Sequence, residues 1–285
     1  MSHIWARPRI VVLMDNSVPV WPFVAEWGLS LAIFTENGGF WLRDIGASDL
    51  VFQNADSLGL DITKAKGFSL SHGHWDHANA LPQLLKRGFK GKVYTHPSYS
   101  KPRYAIRPNK APNFIGVDPQ IPPLIREMEV EVHQSIELEN GLIMICDIPR
   151  RPGFFQPGIS QKEHVFFDDK QGKTPDFVPD DNFLLMSTPK GFVVILGCCH
   201  SGLANSLSHL KDLTGISKIH SIVGGTHLFA GDKSAYKEAV DVLREFDIDL
   251  VYPMHCTGME AWAFLYNHLP GKVKAVGSGS VISFA

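Results

Sequence analysis

Apolar positions along the chain fall in short runs separated by glycine, proline and charged residues. The runs Ile10 to Met14, Leu29 to Thr35 and Phe40 to Arg43 have strand length and predict the opening strands of a sheet. Between Ala78 and Arg87 the period changes: Leu81, Leu84 and Leu85 share one helical face, and Gly88 marks its end. Val93 to His96, Val130 to His133 and Leu142 to Cys146 return to strand. In the second half a strand beginning at Lys190-Gly191-Phe192 leads to a helix carrying Leu203, Leu207 and Leu210. Ile219 to Val223 is the next strand, and Ser234 to Phe246 a helix with Tyr236, Val240 and Leu243 on one face. Leu250 to Tyr252 and a helix with Trp262, Leu265 and Leu269 follow. Strand and helix alternate throughout, which is the signature of an α/β fold.

Two stretches break the alternation. From residue 97 to 123, Pro97, Pro102, Pro108, Pro112, Pro119, Pro122 and Pro123 are interleaved with Lys101, Arg103, Arg107 and Lys110. So many prolines oppose both helix and central strand, so this segment is expected to be an inserted basic loop, a lid. Residues 156–181 form a second, acidic, irregular insert. The two halves echo one another. Lys66-Gly67-Phe68 and Lys190-Gly191-Phe192 each open a strand, and Ala78-Asn79 and Ala204-Asn205 each lie near the start of the following helix. With no low-complexity linker between the halves, residues 1–285 are read as one domain.

Composition narrows the function classes. At 285 residues, 44% hydrophobic and 20% charged, the chain can bury a large core. A net charge of -2 gives no footprint for nucleic acid or an anionic membrane. No apolar run reaches the ~18 residues of a membrane span. Residues Met1 to Arg7 have no apolar core of a secretory signal. The expectation is a cytoplasmic protein whose four cysteines, Cys146, Cys198, Cys199 and Cys256, stay reduced.

The densest chemistry is Ser71-His72-Gly73-His74-Trp75-Asp76-His77, placed directly after the apolar run to Leu70. Imidazole and carboxylate are donors suited to Zn²⁺, Fe²⁺ or Mn²⁺. Residues i and i+2 at a strand end point the same way, so His72 and His74 can grip one ion. Asp76 and His77, after the turn, can reach a second. Zn²⁺ is the favoured cofactor, as one or two ions, with Fe²⁺ or Mn²⁺ as alternatives.

This run resembles the His-x-His-x-Asp-His motif of the metallo-β-lactamase superfamily, and the remaining motifs follow in the family's order. Gly39 to Gly46 resembles its strand ending in Asp-x-Gly, Val193 to Gly202 its later strand and loop, and Tyr252 to Gly258 the strand bearing its last ligand histidine. The resemblance covers Trp27 to His268. Gly-Cys-x-His-Ser-Gly, Gly-Gly-x-His-Leu and Pro-x-His-Cys-Thr-Gly are similar to the branch that includes a dihydropterin–ribofuranosylaminobenzene phosphate synthase. It implies a four-layer αβ/βα sandwich, with Asp44 supporting the metal loop. The family's third-motif histidine should fall near Ile148 to Gly153, and none is there; its bridging Asp should fall at Cys198. His200 is the natural replacement ligand. The resulting assignment is His72, His74 and His200 at one ion and Asp76, His77 and His255 at the other. Cys198 is either a bridging thiolate or a small buried residue beneath the loop.

Asp76 and His227 are the catalytic candidates. Asp76 can orient a water, and His227, after Gly224-Gly225, is either an acid toward a leaving group or a satisfied histidine at a strand end. Arg103, Arg107, Arg150 and Arg151 are the candidates for capturing a phosphate or other anion. The leading expectation is a metal-dependent hydrolase attacking a phosphorylated or anionic small molecule through a metal-bound hydroxide. The branch resemblance implies the alternative of a transferase joining a dihydropterin diphosphate to ribofuranosylaminobenzene 5'-phosphate. A di-iron redox protein fits less well, because that branch carries Glu where this chain has His74.

Overall fold

The computed structural model describes residues 8–159 and 165–285, so two histidines of the sequence, His3 and His164, lie outside the described residues. Among those described, β1 (Arg9–Met14), β2 (Ser30–Phe34), β3 (Phe40–Arg43), β4 (Gly67–Ser69) and β5 (Lys92–Thr95) build one sheet. Two short strands, β6 (Tyr104–Ala105) and β7 (Asn113–Phe114), leave it, and β8 (Glu129–Glu131) rejoins it at an edge. β9 (Ile136–Glu139) and β10 (Leu142–Ile145) open a second sheet, and β11 (Phe166–Phe167) pairs back with β6. β12 (Phe183–Thr188), β13 (Gly191–Leu196), β14 (Ser221–Gly225) and β15 (Leu250–Met254) complete the second sheet, and β16 (Val281–Ser283) pairs with β1. The helices are α1 (Leu50–Ser57), α2 (Trp75–Ala78), α3 (Leu81–Lys86), α4 (Ile121–Ile125), α5 (Leu203–Thr214), α6 (Lys233–Glu245) and α7 (Met259–His268).

Why the runs are apolar without alternation is answered by the layers. Ile10, Val12, Leu31 and Ile33 face the second sheet, meeting Leu184, Met186, Val193 and Ile195. Their neighbours Val11, Leu13, Ala32 and Phe34 face the opposite way, against α1 and α3. Val194 and Leu196 likewise turn from the sheet interface toward α5, α6 and α7. Both faces of each sheet are therefore covered, and strands so placed must be apolar on both sides. The result is an αβ/βα sandwich of four layers.

Parallel pairing sets where the chemistry collects. β3, β4 and β5 run parallel, as do β13, β14 and β15. Their C-terminal ends lead into the segments containing Asp44, His72, Cys198, His227 and His255. Among the described residues no helix is long and apolar enough to cross a membrane.

Two expectations of secondary structure need correction. The helix expected from Ala78 to Arg87 is present as α3 but starts later, at Leu81; Ala78 instead closes α2, and Asn79-Ala80 separates the two. Pro82, lacking an N–H, belongs in a first helical turn rather than a helix interior, and it opens α3. The lid is not a structureless loop either. β6 and β7 come from the basic insert and β11 from the acidic one, so the two inserts form a single small sheet.

Arg103 anchors that insert. Its side chain is fully buried, with the guanidinium on the carboxylates of Asp180 and Asp176, the latter at 2.9 Å. This corrects its assignment to substrate anions: its charge faces inward and is already matched. Arg103→Ala would strand two buried carboxylates, and we expect it to cost about 3–5 kcal/mol of stability. Arg107→Ala, at an exposed position, should stay within about 0.5 kcal/mol. Urea denaturation of the two variants decides this, and equal midpoints would contradict the anchoring role.

Candidate metal centre

The first loop is shaped from below by Asp44. This residue follows β3 in the left-handed region, at φ 57°. Its Oδ1 accepts the Ser71 N–H at 2.7 Å, and its Oδ2 lies 2.7 Å from His77 Nδ1. With Nδ1 held there, His77 presents Nε2 to the interior. Ser71 Oγ, 2.9 Å from His72 Nδ1, does the same for His72, and Asn16 Oδ1, 2.9 Å from His255 Nδ1, does it for His255. Each ring is oriented by a partner on its far nitrogen, the arrangement that fixes the tautomer of a ligating histidine.

Two donor groups result. The ligand atoms of His72, His74 and His200 lie within 4.8 Å of one another, and so do those of Asp76, His77 and His255. In the first, His72 Nε2 and His74 Nδ1 are 2.9 Å apart, and the His200 ring centroid is 4.6 Å from that of His72. In the second, Asp76 Oδ2 lies 3.4 Å from His255 Nε2 and 3.8 Å from His77 Nε2. Cys198 stands between them, its Sγ 3.1 Å from His77 Nε2.

The donors fit a metal ion. His200 has no hydrogen-bond partner on either ring nitrogen, and His74 has none on Nε2, although all three atoms are buried. Buried polar atoms are normally satisfied, so unpartnered ring nitrogens in a group whose ligand atoms lie within 4.8 Å of one another suit a cation. Burial and the neighbouring imidazoles hold His72 and His200 well below the usual histidine range. Burial and the Arg103 charge bring His74 down to about 3. These imidazoles are therefore neutral, the form that binds metal. Burial would raise Asp76, but the adjacent His77 and His255 outweigh it and keep the carboxylate ionised. His255 differs: burial notwithstanding, the Asp76 carboxylate 3.4 Å away raises it to about 9, so it carries a proton that an ion at this group would have to displace.

Three consecutive residues before β12 tie the loops together. Asp180 Oδ2 accepts the Gly73 N–H at 2.6 Å. Asp181 Oδ2 accepts the Ser201 N–H at 2.6 Å. Asn182 donates its amide to the carbonyls of Leu70 and Ser71, at 3.0 and 2.7 Å. One short segment thus grips both histidine loops. Behind it, Arg43, also fully buried, donates to Asn182 Oδ1 at 2.7 Å. Space is tight enough that Gly73 must be glycine: a Cβ there would overlap the Tyr99 carbonyl. Cys199, His227 and His255 take positive φ of 59°, 50° and 51°. Such non-glycine positions are held against their preference by surrounding structure and gather at functional sites.

The remaining sequence candidates divide. His227 joins the site: its ring centroid is 4.3 Å from that of His200. Arg107 also joins it, on the wall of a cavity of about 390 Å³ shared with His74, Asp76 and His227. Arg150 and Arg151 do not, which corrects their assignment to anions. Arg150 donates to the carbonyls of His200 and Val178, at 2.6 and 2.9 Å, and so braces the His200 loop. Arg151 pairs with Asp212 on α5. Sequence reasoning missed Asp15, Asn16, Asp180, Asp181, Asn182 and Cys256. The run Asp180-Asp181-Asn182 directly before an apolar strand was the available signal.

No family model matches the chain. It is 30% identical over 278 residues to an uncharacterised protein of Methanocaldococcus jannaschii, covering 93% of this chain and 98% of that protein. It is 25% identical over 282 residues to the 7,8-dihydropterin-6-methyl-4-(β-D-ribofuranosyl)-aminobenzene-5'-phosphate synthase of the same organism, covering 92% of each. Among solved structures, a metal-dependent hydrolase of the β-lactamase superfamily matches with a TM-score of 0.81 and 26% identity, over 97% of this chain and 98% of that one.

His200 is the one donor of its group that lies outside the first motif, so it is the sharpest test of that grouping. His200→Ala should lose about one metal equivalent per chain on elemental analysis. His209→Ala, whose ring bonds the Cys146 carbonyl at 3.0 Å outside the centre, should lose none. Equal metal content in both would remove His200 from the centre.

Proposed function

Because the chain belongs to the metallo-β-lactamase superfamily, we propose that it is a metal-dependent hydrolase of an anionic, phosphorylated small molecule, with Zn²⁺ as its ion. The observation that carries this reading is the cavity. It borders His74 of one donor group and Asp76 and His255 of the other, so one ligand can meet both. His72, His74 and His200 would hold one ion and Asp76, His77 and His255 the other. A divalent ion at such a position supplies Lewis acidity toward a phosphoryl or carbonyl oxygen and lowers the pKa of a coordinated water.

The chain's own groups complete the site. Arg107 places an exposed guanidinium on the cavity wall, where it can fork onto a phosphate. Asp76 keeps an ionised carboxylate among the residues lining the cavity, able to orient a water by accepting its hydrogen bond. His227, which lines the cavity beside His200, can donate a hydrogen bond to a departing oxygen. Trp27, Phe166 and Phe229 line the rest, excluding water and offering flat faces to a ring-bearing substrate.

Those aromatic walls, with the synthase similarity across 92% of the chain, favour one second reading. It is a transferase joining a dihydropterin diphosphate to ribofuranosylaminobenzene 5'-phosphate. The two reactions differ in what they consume. Metal-loaded protein should be offered phosphoesters singly in ¹⁸O-labelled water, and the pterin diphosphate with and without its acceptor. Turnover of a single substrate with ¹⁸O in the product is the expected result. Turnover only when both partners are present, with pyrophosphate released and no ¹⁸O taken up, would replace the hydrolase by the transferase.

A further inference from the structure

Cys198 is the junction of the centre. Its sulfur falls in three donor groups: with His72 and His77, with His200 and His227, and with His255 and Cys256. In each, the ligand atoms lie within 4.8 Å of one another. Cys198 and Cys256 both border the cavity and are nearly fully buried. The other two cysteines behave differently. Cys199, next in sequence, turns its sulfur toward Ser206 on α5 at 3.5 Å, into the helical layer. Cys146 sits at the end of β10 and belongs to no donor group among the described residues.

We propose that Cys198 and Cys256 are sulfur donors of this centre, so that it selects a thiophilic divalent ion of the Zn²⁺ and Cd²⁺ class over hard ions such as Mg²⁺ or Mn²⁺. The inference rests on the metal-centre reading above and adds the donor chemistry. Zn–S and Zn–N bonds in a tetrahedral site put sulfur and nitrogen roughly 3.5 Å apart. The separation of 3.1 Å between Cys198 Sγ and His77 Nε2 is within a few tenths of that. Cys256 is held in place from two sides: its Sγ lies 3.6 Å from the Cys198 carbonyl, and it packs so closely on Gly225 that a Cβ there would collide with it. On binding, each thiol gives its proton to solvent and its sulfur lone pair to the ion, without oxidant or reductant. Thiolate and imidazole together suit soft and borderline ions, whereas Mg²⁺ and Mn²⁺ prefer oxygen.

The test needs no substrate. Metal-stripped full-length protein is titrated with Cd²⁺ alone, following thiolate-to-cadmium charge-transfer absorption and the ¹¹³Cd resonance. We expect the absorption to saturate with binding and the resonance to lie downfield, where sulfur ligation places it. Both are read on the unmutated protein, so they do not depend on any variant folding. Cys198→Ser and Cys256→Ser should each lose part of the absorption and the double variant all of it, while Cys146→Ser keeps it. Cd²⁺ bound with only nitrogen and oxygen signatures would overturn the sulfur donors and leave the histidine centre standing. Absence of Cd²⁺ binding would overturn both.

Discussion

The separation between two histidine loops is set by Asp180, Asp181 and Asn182, and the rest of the site depends on it. The loop carrying His72 and His74 leaves the first sheet, and the loop carrying His200 leaves the second. Nothing in the pairing of either sheet dictates how far apart these loops stand. The three consecutive residues bond one loop at Gly73, Leu70 and Ser71 and the other at Ser201. Polar and charged groups this deep are costly to bury, and each has its partner: the Arg103 guanidinium for the Asp180 carboxylate, the Ser201 N–H for that of Asp181, and an Arg43 N–H for the neutral amide oxygen of Asn182. The insert that carries Arg103 is therefore bound to the geometry of the centre as well as to the cavity wall.

What the bracket holds in place is a set of groups that is unfavourable by itself. His72, His74 and His200 crowd their rings at centroid separations of 4.5 to 4.8 Å, buried and neutral, with nitrogens left unpartnered. A bound cation satisfies those lone pairs, so ion binding and stability of this edge of the fold are linked. The positive-φ conformations of Asp44, Cys199, His227 and His255 belong to the same account. Strain and desolvation are concentrated where the parallel strands end, and the covered cores on either side support them.

How much of this was legible beforehand follows from distance along the chain. His72, His74, Asp76 and His77 sit within six residues, so spacing alone placed them. His200 was reachable because a gap at Ile148 to Gly153 demanded a substitute, and the structure brings it beside His72 and His74. Asp44 was reachable only through the resemblance of Asp44-Ile45-Gly46 to the family's Asp-x-Gly. Asp15 and Asn16 were not: they follow β1, yet act on His255, about 240 residues away. Arg103 and Arg107 look alike in a basic, proline-rich segment, and only the partner carboxylates of the second insert separate the buried anchor from the exposed guanidinium. Arg150 and Arg151 fail for the same reason, since charge is visible in a sequence but its partner is not. The pairing of β6 with β11 joins two segments that each read as irregular, because two-residue strands carry no periodicity to detect.

The central claim is that two adjacent donor groups, one of three imidazoles and one of two imidazoles and a carboxylate, each hold an ion. Anomalous diffraction from crystals of the Zn²⁺-loaded protein, measured on both sides of the zinc absorption edge, tests it most directly. Two peaks are predicted, one among His72, His74 and His200 and the other among Asp76, His77 and His255, with Cys198 between them. A single peak elsewhere, or none at full zinc loading, would contradict the account.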